Sequence, residues 1–175
     1  MLTKITPPKL RRKFLIRKRL FDCLDKADHE SAIWIAGPAG SGKTSLIVSY
    51  LKETRIPAIW YQVDAGDRDP SSFFYYLNQA AAPLLESPKP PLPLLTPEYL
   101  MNLDTFIVGY FENLFQRLKS PRWIVLDNFQ EIANDSPLVQ RIASVIARIP
   151  SHFKLVLISR HDPLPSMARL RANQM

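Results

Sequence analysis

Apolar and polar positions along this chain fall into blocks with two different rhythms. Ala32-Ile33-Trp34-Ile35-Ala36 is apolar on both parities, the pattern of a strand buried on both faces of a parallel sheet. Ala58 to Val63, Trp123 to Leu126 and Lys154 to Ile158 repeat it, which predicts four strands. Between them the rhythm changes to threes and fours. Ser45 to Leu51 predicts a helix directly after a glycine-rich turn, and residues 71–82 predict another that Pro83 ends or kinks. Across Glu98 to Lys119, the residues Leu100, Leu103, Ile107, Tyr110, Phe111, Leu114 and Leu118 form one stripe. A single long helix is expected there, with that stripe in the core. Leu138, Ile142, Val145, Ile146 and Ile149 mark a last amphipathic helix before Pro150, and Ser87 to Pro97, with five prolines, reads as a stiff connector. Alternation of this kind predicts an α/β fold, a parallel sheet flanked by helices.

Composition narrows the picture without changing it. The chain has 175 residues, 46% of them hydrophobic, enough for one domain with a sizeable core. No apolar run approaches the roughly 20 residues of a membrane-spanning helix, so no membrane association is expected. Cys23 is the one cysteine; it has no internal disulfide partner, which suits a reducing cytoplasm, and it is expected as a small buried residue of a helix. The net charge of +7 is unevenly placed, because the first twenty residues carry Lys4, Lys9, Arg11, Arg12, Lys13, Arg17, Lys18 and Arg19 and no acid. Residues 1–25 are therefore read as a basic arm, open to water, an acidic partner or nucleic acid. Residues 26–175 are read as the nucleotide-binding domain.

The chemistry sits at the ends of the predicted strands. Gly37-Pro38-Ala39-Gly40-Ser41-Gly42-Lys43-Thr44 satisfies every fixed position of the phosphate-binding pattern G-x-x-x-x-G-K-[ST], between an apolar strand and a helix. Backbone N–H groups must curl around an anion there, glycine permits the turns, and the following helix points its positive end at the same place. Lys43 is expected to bridge the outer phosphates of ATP or ADP, and the Thr44 hydroxyl to ligate Mg2+. Asp127, ending the Trp123–Leu126 strand, supplies the second metal-side group. Asn128 stands where many such ATPases carry a second acid; an amide orients water but accepts no proton as a base, so slow hydrolysis is expected. Arg160, ending the fourth strand, is placed to read the terminal phosphate. Asp64 and Asp67 read as turn residues.

Several segments together resemble the N-terminal ATPase domain of the large MalT-like bacterial transcription activators, LuxR-type members of the signal-transduction ATPases with numerous domains. They are Pro8-Lys9-Leu10-Arg11 with Ile16 to Leu20, Gly37 to Ser45, Trp60 to Asp67 and Ile124 to Ile132. The narrowest match runs from Leu155 to Arg160, then through Leu164-Pro165 to Ala168-Arg169-Leu170-Arg171-Ala172. The resemblance implies a P-loop NTPase fold with strand order 1-4-3-2 and a fifth strand normally beside the first. No segment here fits that fifth strand, so the chain is expected to stop inside a larger domain and to associate through the open edge. It also implies that Ile16 and Arg17 flank the adenine, that Ser45 completes the phosphate loop, and that Arg160 senses the terminal phosphate. In that family the ATP form self-associates and activates transcription, and DNA is bound by a helix-turn-helix far beyond residue 175. The family has two acids where this chain has Asp127-Asn128. The alternative is a metabolic P-loop enzyme such as a small-molecule kinase, whose acceptor pocket would fall within residues 64–97.

Overall fold

Four parallel strands form the sheet that these patterns predict: β1 (Ala32–Ala36), β2 (Ala58–Gln62), β3 (Arg122–Asp127) and β4 (Phe153–Ser159). The computed structural model describes residues 2–10, 16–86, 90–119, 122–132 and 136–163. The tail from Leu164, and the part of the basic arm from Arg11 to Lys13, lie outside the described residues. The strand order is β1-β4-β3-β2, with Ile33 opposite Val156, Ile124 opposite Leu155 and Ile59 opposite Ile124. This is the P-loop NTPase arrangement, with helices on both sides.

The central strands β3 and β4 bury both faces and so need continuous apolar runs, whereas β1, at the edge, buries Ile33 and leaves Trp34 and Ile35 half-buried. On one face Ile59, Tyr61, Ile124, Leu126, Leu155 and Leu157 pack with residues of α3 (Pro70–Ala81), α5 (Leu103–Arg117) and α6 (Pro137–Ile146). On the other, Ile33, Trp60, Trp123, Val125, Val156 and Ile158 meet Leu24 of α1 (Lys18–Lys26) and Leu46, Ile47, Tyr50 and Leu51 of α2 (Lys43–Thr54). Successive strand residues point to opposite faces, so the two sets interleave along each strand. Helix starts carry local signals too: the Asp69 carboxylate accepts from the Ser71 and Ser72 N–H groups before Pro70 at N1, and Ser136 caps α6 in the same way.

Two expectations fail. The long helix is broken: α4 (Pro97–Leu100) is a single turn, and α5 starts afresh at Leu103, where Asn102 accepts from the Thr105 N–H. Leu100 is accordingly 51% exposed, outside the core stripe. Cys23 is also exposed, because the buried side of α1 is the side of Leu24.

The start of the chain is not simply solvated. The turn Leu2–Ile5 lies against β2 and α3. Lys4 Nζ bonds Asp64 Oδ2 at 2.7 Å and Asp67 Oδ1 at 2.9 Å, and lies 4.3 Å from the Tyr76 ring centre. Asp64 and Asp67 are turn residues, reciprocally capping Ala65–Arg68. Among the described residues no helix is long and apolar enough to cross a membrane.

Candidate functional site

β1 delivers the chain into the loop Gly37–Gly42 at the C-terminal edge of the sheet. The loop needs glycine at two points: Gly40 has φ 75° and Gly42, which caps α2, has φ 85°. Gly42 has a second reason, since a Cβ there would lie 3.0 Å from Arg17 Nη2. From Lys43 onward the chain is helical, so the first turn of α2 presents its free N–H groups to the loop.

Lys43 folds back over the loop. Its ammonium donates to Gly37 O at 2.6 Å and Pro38 O at 2.9 Å, with Ser41 Oγ at 3.4 Å. Thr44 Oγ1 lies 3.1 Å from both carboxylate oxygens of Asp127, across the gap between α2 and the end of β3. Asp127 is 3% exposed, and burial pushes its carboxyl above the usual range against the opposing pull of Thr44, the Asn128 N–H and Lys43. A hydroxyl and a buried carboxylate without a lysine or arginine bonded between them form a hard-oxygen pair. That donor set fits Mg2+ with phosphate and water completing its shell. Lys43, already bonding oxygens with all its donors, fits a phosphate that would replace them.

Asn128 follows in the left-handed region at φ 59° and swings the chain into the turn Phe129–Glu131. Arg160 is exposed at the end of β4, with its backbone N–H held 3.1 Å from Gln130 Oε1. A cleft of about 290 Å3 brings Ala39, Gly40, Gly42, Lys43, Thr44, Ser45, Asp127, Asn128, Gln130 and Arg160 together. Pro38 and Ser41 contact Lys43 on its loop side. On the other flank, Arg17 Nη1 donates to Ser41 O at 2.9 Å, and its neighbour Ile16 is 52% exposed. His161 is not among the residues that line this cleft, and its backbone carbonyl accepts from Trp34 Nε1 at 3.0 Å.

Gln130 is the site residue that the sequence did not bring forward. A glutamine three positions past a strand-ending Asp carries no motif, and only the left-handed Asn128 brings it back over the cleft. Among the described residues, no cluster of three or more His, Cys, Asp or Glu could hold a metal by side chains alone.

Comparison with known proteins places the whole chain among similar sequences. The chain is 25% identical over 177 residues to the HTH-type transcriptional regulator MalT of Vibrio cholerae serotype O1, covering 99% of this chain and 19% of that protein. The MalT of Cronobacter sakazakii is 29% identical over 178 residues, covering 98% and 19%. The chain thus spans about a fifth of the length of these curated relatives. The family model for the N-terminal region of nephrocystin 3 matches residues 11–160. The MalT resemblance therefore runs along nearly the whole chain, and the chain belongs to the nephrocystin 3 N-terminal family of NTPase-like domains.

Proposed function

We propose that this domain is the ATP- and Mg2+-binding switch module of a MalT-like bacterial transcription activator, acting in the cytoplasm and hydrolysing ATP slowly. The observation that carries it is the pairing, across one cleft, of the Lys43 phosphate loop with Thr44 and Asp127 at 3.1 Å. Lys43, the loop N–H groups and the start of α2 would hold the phosphates, and Thr44 and Asp127 would hold Mg2+, which neutralises phosphate charge. Arg160 reads the terminal phosphate and so separates ATP from ADP. Arg17, on the loop flank, with Ile16, takes the adenine side.

Asn128 supports the slow rate, since the position after Asp127 holds no group able to take a proton at neutral pH. A switch needs long-lived ATP and ADP states more than it needs turnover. The names of the relatives support transcription regulation. Self-association in the ATP form and DNA binding through a helix-turn-helix elsewhere in the protein complete the proposal. Calorimetry with ATP and ADP, with and without Mg2+, tests the site, and phosphate release with and without a panel of small hydroxyl and amine acceptors tests the class. Mg2+-dependent ATP binding, slow release and no response to acceptors are expected. Fast phosphoryl transfer to any acceptor would replace the switch by a kinase.

A further inference from the structure

One side chain lining the candidate phosphate cleft has, among the described residues, hydrogen-bonding capacity to spare. Gln130 sits in the turn Phe129–Glu131, which is pinned on both sides. Phe129 is 3% exposed and stands edge-on to Trp34 with ring centres 5.7 Å apart, while Ile132 is 1% exposed. Two partners orient the amide. Oε1 accepts from the Arg160 backbone N–H at 3.1 Å, and Nε2 donates to Glu131 Oε1 at 3.2 Å. Turning the amide over would set N–H against N–H at one contact and oxygen against oxygen at the other, so the assignment follows from the partners.

A primary amide has two acceptor lone pairs and two N–H donors. In Gln130 one of each is engaged, which among the described residues leaves one lone pair and one N–H on an amide held at both ends in the cleft with Lys43, Asp127 and Arg160. Those are the two capacities required to hold a water against a phosphoryl group. The lone pair takes a hydrogen bond from the water, and the N–H steadies a phosphoryl oxygen. Asn128 makes no side-chain hydrogen bond among the described residues, so none of them fixes its amide by hydrogen bonding.

We propose, resting on the ATP-binding reading above, that Gln130 orients the attacking water and couples the end of β3 to Arg160 at the end of β4. The water oxygen forms a bond to the terminal phosphorus while the bond from that phosphorus to the bridging oxygen breaks. The bridging oxygen keeps the electron pair and leaves with ADP. Gln130 takes no proton; a water proton passes to an oxygen of the transferred group, giving ADP and dihydrogen phosphate. Orientation without a base is consistent with slow, rather than absent, turnover.

Gln130→Ala and Gln130→Met, the second keeping the length of the side chain, test this on the purified protein. Three quantities are measured: Kd for ATP and for ADP with Mg2+, Kd for ADP with aluminium fluoride, and single-turnover phosphate release. Both variants are expected to keep ATP and ADP affinities within about twofold. They should weaken the aluminium fluoride complex about tenfold and slow release by about 10²-fold, the scale of one lost transition-state contact. If turnover is too slow to follow in any form, the aluminium fluoride complex decides. Unchanged aluminium fluoride affinity, or a change that only matches an altered ATP-to-ADP ratio, overturns the proposal and leaves a structural prop for Arg160. If the unaltered protein fails to bind ATP, the underlying reading falls and this one with it.

Discussion

Replacing Lys43 by alanine separates what the lysine does for its own loop from what it does for a nucleotide. Its ammonium donates to Gly37 O at 2.6 Å, part-buried, and to Pro38 O at 2.9 Å, exposed. Charged donors contribute about 1.5–3 kcal/mol per hydrogen bond, and much less where water competes. The two together then stabilise the loop by about 1–2 kcal/mol. At about 2–4 °C per kcal/mol for a domain of this size, Lys43→Ala should lower the ligand-free Tm by roughly 3–6 °C. Binding exchanges those carbonyls for phosphate oxygens, so the affinity lost is the difference between the two sets. About 2–3 kcal/mol is expected, a factor of roughly 30–150 in Kd. Calorimetry measures that directly, and thermal melts give an independent reading. ATP at 100 times the original Kd should stabilise the unaltered protein by about 2.7 kcal/mol and the variant, at the same concentration, by under about 1 kcal/mol. A variant that melts lower but gains the same ATP-induced shift would refute the argument, because Lys43 would then serve only its own loop.

Burial raises the Asp127 carboxyl, so ligand-free stability should rise as pH falls through its raised pKa toward the ordinary value of about 3.9, and Mg2+ should lose to protons over the same window. Asp127→Asn should abolish both effects in urea melts and in calorimetry across pH; an unchanged Mg2+ dependence would leave Asp127 a structural residue. Arg160→Ala should weaken ATP by about 1–2 kcal/mol and ADP hardly at all, and equal losses measured by calorimetry would remove it from phosphate sensing. Lys154 is 4% exposed and donates to Ala27 O, Asp28 O and Glu30 O at 2.7, 2.7 and 2.9 Å, holding the end of α1 to β4. Lys154→Met should cost about 2–4 kcal/mol in urea unfolding, and an unchanged midpoint would mean the carbonyls rehydrate freely.

The strands and their order were legible because burial on both faces leaves no room for polar residues, so the runs announce themselves. The loop Gly37–Gly42 and the helix after it were legible because the turn takes positive φ at Gly40 and Gly42 directly before an apolar helical run. The break before α5 was hidden by a periodicity that carries on through Leu100, although Asn102 and Thr105 hold a capping signal of their own. Cys23 was misread because residue type was weighed above the side of α1 on which it falls. The Lys4 contact joins residues 60 and more positions apart, and Gln130 reaches Arg160 only through the backbone geometry of Asn128. Contacts of that kind follow from tertiary placement, which a local pattern does not encode.

The order of the sheet has a consequence for synthesis. Among the described residues β1 pairs only with β4, Ala32 lying opposite Leu155, about 120 residues later. At roughly 5–20 residues per second, the strand that carries the phosphate loop waits about 6–24 s on the ribosome before its partner exists. During that time β2 and β3 can meet and offer Trp60, Trp123 and Val125 to α2, but β1 itself has no strand beside it among the described residues. On the ATP-binding function proposed above, nucleotide would stabilise only a chain already translated through Ser159, and its binding would come late in the folding of this domain.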